Sequence, residues 1–186
     1  MTNRLLFFVL MALSFSGCDM LETHPYDVHI TGERELTNKN IQLIENKMQG
    51  KKTIRFAMIS DTQRWYNSTE DVVKAINAHG DIDFVIHGGD QSDFGVTKEF
   101  VWMRDIFNKF QMPYVCLLGN HDCLGTGEDA YRAIYGNPNF AFTAGNVRFI
   151  CLNTNAMEYD YSEPVPDFNF IENELNNLPS EVEKTV

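Results

Sequence analysis

Three short polar runs carry the residues able to do chemistry: Ser60-Asp61-Thr62-Gln63, Gly88-Gly89-Asp90-Gln91-Ser92-Asp93 and Gly119-Asn120-His121-Asp122. Each follows an apolar run that reads as a strand, and they recur at even spacing, 29 residues from Asp61 to Asp90 and 30 from Asp90 to Asn120. In an open α/β sheet the loops at the carboxyl ends of strands converge on a crevice. Three such loops would gather Asp61, Gln63, Asp90, Asn120 and His121. Two carboxylates, two amide oxygens and an imidazole are hard and borderline ligands suited to divalent cations rather than to a nucleophilic triad. Gly88, Gly89 and Gly119 let the backbone turn sharply beside so crowded a site.

The elements that must hold these loops are legible as an alternation of apolar and amphipathic runs from Thr53 onward, the rhythm of an α/β sandwich or doubly wound sheet. Strands are expected at Ile54–Ile59, Phe84–Ile86, Tyr114–Leu118 and Val147–Leu152, and Phe140–Asn153 reads as a hairpin turning at Gly145-Asn146. Thr69 is expected to cap a helix running through Val72, Val73 and Ile76 to Gly80, with Glu70 and Asp71 in its first turn. A longer helix is expected over Thr97–Phe110, halted by Pro113, and a last one over Asp167–Leu178. Glu181–Val186 reads as the start of a further strand. The polar stretch 18–52 is expected to be an adapter, with a short helix in which Ile41, Ile44 and Met48 share a face before Gly50.

At the three polar runs the sequence resembles the calcineurin-like metallophosphoesterase superfamily, whose ordered signature is Asp-x-His, Gly-Asp-x-x-Asp, Gly-Asn-His-Asp/Glu, a further His and a Gly-His-x-His. The resemblance implies an α/β fold, a partial four-layer αββα sandwich of the metallophosphoesterase type. It also implies hydrolysis of phosphoric ester bonds by a metal-activated hydroxide at a dinuclear centre of Mn, Fe, Mg or Zn. Asp61 and Gln63 would then face the first metal, Asp90 would bridge both, Asn120 would face the second, and His121 would sit over the substrate phosphate. Asp93 or Asp122 would orient that imidazole. Arg64, Trp65 and Tyr66, just after the first run, either line the approach to the substrate or serve as packing.

Two departures bear on the chemistry. Gln63 stands where the family has His, a harder and weaker ligand that favours Mn²⁺ or Mg²⁺ over Zn²⁺. No histidine follows His121, which leaves the second metal only Asp90 and Asn120. The expectation is of an N-terminal part of the domain, residues 53–186, inactive or weakly active without further ligands. The competing expectation is a non-catalytic surface lipoprotein that uses the same fold to bind a partner or glycan.

Composition bounds the rest. The chain has 186 residues, 44% of them hydrophobic and 22% charged, as expected for one globular domain. Its net charge of −11 argues against general nucleic-acid binding, which rests on Lys and Arg displacing counterions. No Gly-x-Gly-x-x-Gly or Gly-x-x-x-x-Gly-Lys-Ser/Thr loop is present, so a nucleotide-binding module lacks support. Arg4, the apolar run Leu5–Leu13, Ser16 and Gly17 precede Cys18 and resemble a bacterial lipoprotein signal, with Phe15 where Leu is usual. Residues 1–17 would be removed and Cys18 lipidated, giving an exported protein anchored to the bacterial membrane. Cys116, Cys123 and Cys151 match no zinc or redox spacing; free buried thiols are favoured over a Cys116–Cys151 disulfide.

Overall fold

The computed structural model describes residues 24–156 and 164–186; the signal and Cys18 lie outside the described residues. Sheet formation follows the apolar runs. Strands β1 (Phe56–Ile59), β2 (Phe84–His87) and β3 (Tyr114–Cys116) form one parallel sheet in the order β1-β2-β3, with Phe56 opposite Phe84 and Val85 opposite Tyr114. β2 and β3 are buried throughout, as continuous apolar strands of parallel sheets are, whereas edge strand β1 leaves Phe56 and Met58 exposed. Strands β4 (Phe140–Ala144) and β5 (Val147–Cys151) form the expected antiparallel hairpin. Ala144 pairs with Val147, so Gly145-Asn146 is a two-residue turn, and Gly145 alone takes the positive φ, 58°. β6 (Lys184–Thr185) adds parallel to β5.

Among the described residues five α-helices flank the sheets: α1 (Leu36–Met48), α2 (Tyr66–His79), α3 (Thr97–Phe107), α4 (Gly127–Tyr135) and α5 (Phe168–Asn176). One core lies between the parallel sheet and the helices, joining Val85 and Cys116 to Phe100, Phe107, Tyr131 and Ile134. The second lies between the two sheets, where Phe84, Ile86 and Val115 meet Phe142, Phe149 and Cys151. On the outer face of the second sheet Arg148 reaches Glu174 of α5 at 2.6 Å, the start of a fourth layer. The architecture is therefore the expected sandwich in partial form.

Four local expectations are corrected. Residues 18–52 do not behave as a mere adapter over their described part. Ile30 and Leu36 enter the first core, and Ile44 and Met48, both 0% exposed, enter the second. Helix α2 starts at Tyr66 rather than at a Thr69 cap; Thr69 lies inside it, and its hydroxyl donates to the Trp65 carbonyl at 2.8 Å. Helix α3 stops at Phe107, three residues before Phe110, and the chain turns there with Phe110 still packed on the first core. Helix α4 was not foreseen: its buried Ala130, Tyr131, Ile134 and Tyr135 form adjacent pairs one turn apart between polar neighbours. The Tyr131 hydroxyl donates to the Cys116 carbonyl at 2.6 Å and fixes α4 to β3. The Asp167 cap of α5 is formed as its type suggests, accepting from the Phe170 N–H at 3.0 Å. Cys116, Cys123 and Cys151 are free and buried, with Cys116 and Cys151 in different cores.

The seam between the sheets is aromatic. Phe142 stacks on Phe149 with centroids 4.9 Å apart and meets Phe84 edge-on at 5.6 Å. Phe142 is 0% exposed, so Phe142→Ala removes buried area and leaves a cavity that the rigid seam cannot close. A loss of about 3–5 kcal/mol is expected, read as a lower urea midpoint with an unchanged slope.

Candidate metal centre

The three polar runs do converge beyond the ends of β1, β2 and β3. The Asp61 N–H donates to the Gly89 carbonyl at 3.1 Å and the Gln63 N–H to the Asp90 carbonyl at 3.2 Å, so the first loop lies along the second. The His121 N–H donates to Asp90 Oδ1 at 2.9 Å, which brings in the third. Asp61 and Asp90 both sit at positive φ, 56° and 61°. That region is uncommon for residues other than Gly, although short polar side chains tolerate it best.

Asp122 is the fastener. Its carboxylate is buried and accepts five hydrogen bonds: from the N–H groups of Asp90 (2.9 Å), Gln91 (2.9 Å), Ser92 (2.8 Å) and Gly119 (3.0 Å), and from the Ser92 hydroxyl (3.1 Å). Burial pushes its pKa up to about 6, while the N–H and hydroxyl donors pull it the other way. Asp122 was expected as one of two candidates to orient His121. Both its oxygens are instead engaged by loop backbone, and the group beside the imidazole is Asp93. His121 Nδ1 donates to the Asp93 carbonyl at 3.0 Å and lies 3.7 Å from Asp93 Oδ1. A carbonyl only accepts, so Nδ1 carries the proton. That hydrogen bond raises the His121 pKa above its ordinary value, and the charges of Asp90 and Asp93 add to the rise against desolvation.

The backbone approach is close enough to require glycine at two positions. A Cβ on Gly89, whose φ is 109°, would lie 2.7 Å from the Gly119 Cα; one on Gly119 would lie 2.1 Å from Asp90 Oδ1. The Gly119 hydrogen thus leaves the space in which the Asp90 carboxylate sits. Gln63 supplies the complementary observation: its Oε1 is buried with no hydrogen-bond partner. A buried amide oxygen left unpaired costs about 1–3 kcal/mol, a cost that a cation would remove. Asp61, Gln63 and Asp90 offer two carboxylates and an amide oxygen, the donor types that a hard divalent ion takes. On the other side Asn120 is exposed at the start of the 3₁₀ turn His121–Cys123. Among the described residues no group of three or more His, Cys, Asp or Glu side chains could hold a metal ion; neither Asp61 with Asp90 nor Asp90 with Asn120 forms such a group.

Several positioning residues escaped the sequence. His87, at the end of β2, is buried and neutral; desolvation pushes its pKa down to about 3. Its Nδ1 accepts from the Gly89 N–H at 3.2 Å, so Nε2 carries the proton and donates to the Thr62 hydroxyl at 2.9 Å, linking the first two loops. Glu99 in the first turn of α3 accepts from the N–H groups of Asp93 (3.2 Å), Phe94 (3.1 Å) and Val96 (3.3 Å). Asn155 donates to the Leu118 carbonyl at 2.8 Å and ties the chain after β5 to the third loop. The closeness of His87 to Asp90 along the sequence was a usable signal; Glu99 and Asn155 gave none, because their partners are backbone groups.

Because His87 binds a proton near pH 6.5 when unfolded and only near pH 3 when folded, the unfolded state holds more protons between those values. Stability must then fall as pH falls through that window, by up to ~1.4 kcal/mol per unit. Asp122, with its raised pKa, acts in the opposite sense over part of the range, so the comparison has to be with a variant. Urea midpoints from pH 7 to pH 4 are expected to decline less steeply in His87→Gln than in the parent.

Comparison with known proteins agrees with this fold. No curated protein matches the chain. Among solved structures, it is similar to the purple acid phosphatase PPD1 from yellow lupin (Lupinus luteus) seeds, with 16% identity and a TM-score of 0.51 over 70% of this chain. The match covers 29% of the lupin chain, and at that identity the likeness concerns the fold. The model of the calcineurin-like phosphoesterase family matches residues 54–183, most of the chain and all three loops. The chain belongs to the calcineurin-like phosphoesterase family.

Proposed function

We propose that this domain hydrolyses phosphoester bonds, with Asp61, Gln63 and Asp90 holding one divalent cation and Asp90 and Asn120 contributing to a second. The observation that carries the reading is the buried, unpartnered Gln63 Oε1 on the loop whose backbone runs along Asp90. A pure binding module has no need to bury an amide oxygen there. When bound, such cations supply the Lewis-acid charge that activates water and offsets charge building on the phosphoryl oxygens. The chain's own residues do the rest. Asp90 spends Oδ1 on the His121 N–H, which leaves Oδ2 for ligation. His121, its Nδ1 proton engaged by the Asp93 carbonyl, has Nε2 available to a substrate oxygen, and when protonated it can donate there to a leaving group. Gln63 in place of imidazole favours Mn²⁺ or Mg²⁺ over Zn²⁺. With only two ligands on the second side, turnover by this chain is expected to be slow.

The same reading includes an exported, lipid-anchored protein, supported by the run from Arg4 to Cys18. No described helix is long and apolar enough to cross a membrane, so attachment would rest on the lipid.

Calorimetric titration with Mn²⁺ is expected to show binding that Asp90→Asn weakens at least tenfold and that Gln63→His shifts toward Zn²⁺. Absence of any Asp90-dependent binding would remove the metal from the reading and favour the non-catalytic lipoprotein. In a bacterial host Cys18→Ser is expected to move the protein from the membrane fraction to the soluble fraction; unchanged fractionation would defeat the anchor.

A further inference from the structure

Arg64 occupies a position that a purely structural arginine would not need. The Trp65 N–H donates to the Thr62 carbonyl at 3.1 Å, closing a turn in which Arg64 is the third residue at φ 68°. Turns of this kind ordinarily place Gly or Asn there, because a longer side chain at positive φ is strained. Strain of this sort persists at functional sites where the surroundings over-determine it. Here the surroundings are specific. Nη2 donates to Asp93 Oδ1 at 2.5 Å, and the guanidinium carbon lies 6.0 Å from the centroid of the Phe94 ring. Asp93 is buried, whereas the Arg64 side chain is 65% exposed. An ion pair with so exposed a partner contributes little stability.

The partner of Asp93 on its other side is His121, bound through the Asp93 carbonyl. Arg64 and His121 are thus held side by side by one residue. Nε and Nη1 of Arg64 have no protein partner among the described residues. Asp93 takes one of the two Nη2 hydrogens, so the other, paired with the adjacent N–H of Nη1 or Nε, presents a planar fork of donors, the geometry that matches two oxygens of a phosphoryl group. Resting on the phosphoester reading above, we propose that Arg64 is a substrate-binding residue, its free guanidinium edge gripping two non-bridging phosphoryl oxygens next to His121. Asp93 fixes the opposite edge and Phe94 lies alongside the guanidinium, so the side chain is oriented before substrate arrives. The substrate class is any phosphoester whose phosphoryl group keeps two free oxygens.

The test is equilibrium binding of inorganic phosphate to the full chain by calorimetry, with saturating Mn²⁺ and again without metal. Arg64→Ala is expected to weaken phosphate binding at least tenfold while Mn²⁺ affinity stays within twofold of the parent. Arg64→Lys keeps the charge opposite Asp93 but loses the fork, and is expected to recover part of that loss. Phosphate affinity of Arg64→Ala within twofold of the parent would overturn the proposal, as would a parent that binds no phosphate in either condition. An equal fall in Mn²⁺ and phosphate affinity would also overturn it, by assigning Arg64 a structural role. Failure of the parent to bind Mn²⁺ would sink the metal reading alone, because Arg64-dependent phosphate binding without metal would still support the anchor.

Discussion

The centre depends on one buried anion. Asp122 brings a carboxylate into the interior with no cation beside it among the described residues, and the five donors that converge on it make that tolerable. Four of those donors are backbone N–H groups, so what Asp122 fixes is the path of the chain rather than any side chain. Three come from the second loop and one from the third. An amide in its place would turn an NH₂ group toward N–H donors, so Asn is no substitute despite its shape. With Asp122 in place, Asp90 is set on one side of the contact and Asn120 and His121 on the other, before any ligand is considered.

That clamp imposes close approach and unusual backbone in turn. Gly89 and Gly119 are obligatory because the two loops touch through their Cα atoms, while Asp61, Arg64 and Asp90 accept positive φ without being glycine. Each such residue raises the energy of the loops. The stiffness that offsets it lies below: β2 is buried along its whole length, with Phe84 in the aromatic seam on one face and Val85 in the helical core on the other. His87 closes the arrangement at the top of that strand, sharing its two nitrogens between the first loop and the second. A packed sandwich thus holds loops that their own conformational preferences would disperse.

How much of this is legible from sequence follows the range of the interactions. The strands, the hairpin and the cluster of polar strand ends were readable, since apolar periodicity and turn chemistry act over a few residues. Asp61, Gln63, Asp90 and Asn120 could be named for the same reason, as ligand types at strand ends in regular order. Asp122 was named with Asp93 as a candidate to orient His121, and it is Asp93 that lies beside the imidazole. The adjacency of Asp122 to His121 suggested a side-chain partner, while three of its four N–H partners lie about 30 residues back and carry no mark in the sequence. The start of α2 was misplaced because Thr69 looks like a cap, whereas the turn at Arg64 begins the helix a few residues earlier. Residues 18–52 looked like an adapter because their few apolar side chains are widely spaced, yet Ile44 and Met48 fill space beside the second sheet.

Charge ties the site to its reading. Asp61, Asp90, Asp93 and Asp122 stand in the three loops, Glu99 lies against the second, and the cations set among them are Arg64 and, when protonated, His121. Such a cluster repels a phosphate dianion on its own, at short range where salt screens least. A structural purpose accounts for Asp122, which is satisfied by backbone, and for Glu99, which holds three N–H groups. It does not account for Asp61 and Asp90, which stand on loops that run along each other, nor for the unpartnered oxygen of Gln63. On the proposed reading, those two carboxylates and that amide are the negative half of a pair whose positive half arrives from solution. With that charge supplied, the remaining field near Arg64 and His121 turns favourable to an anion. The acidic net charge of the chain and a phosphoester substrate are then compatible, because recognition acts at a locally compensated centre and the surface at large need not attract it.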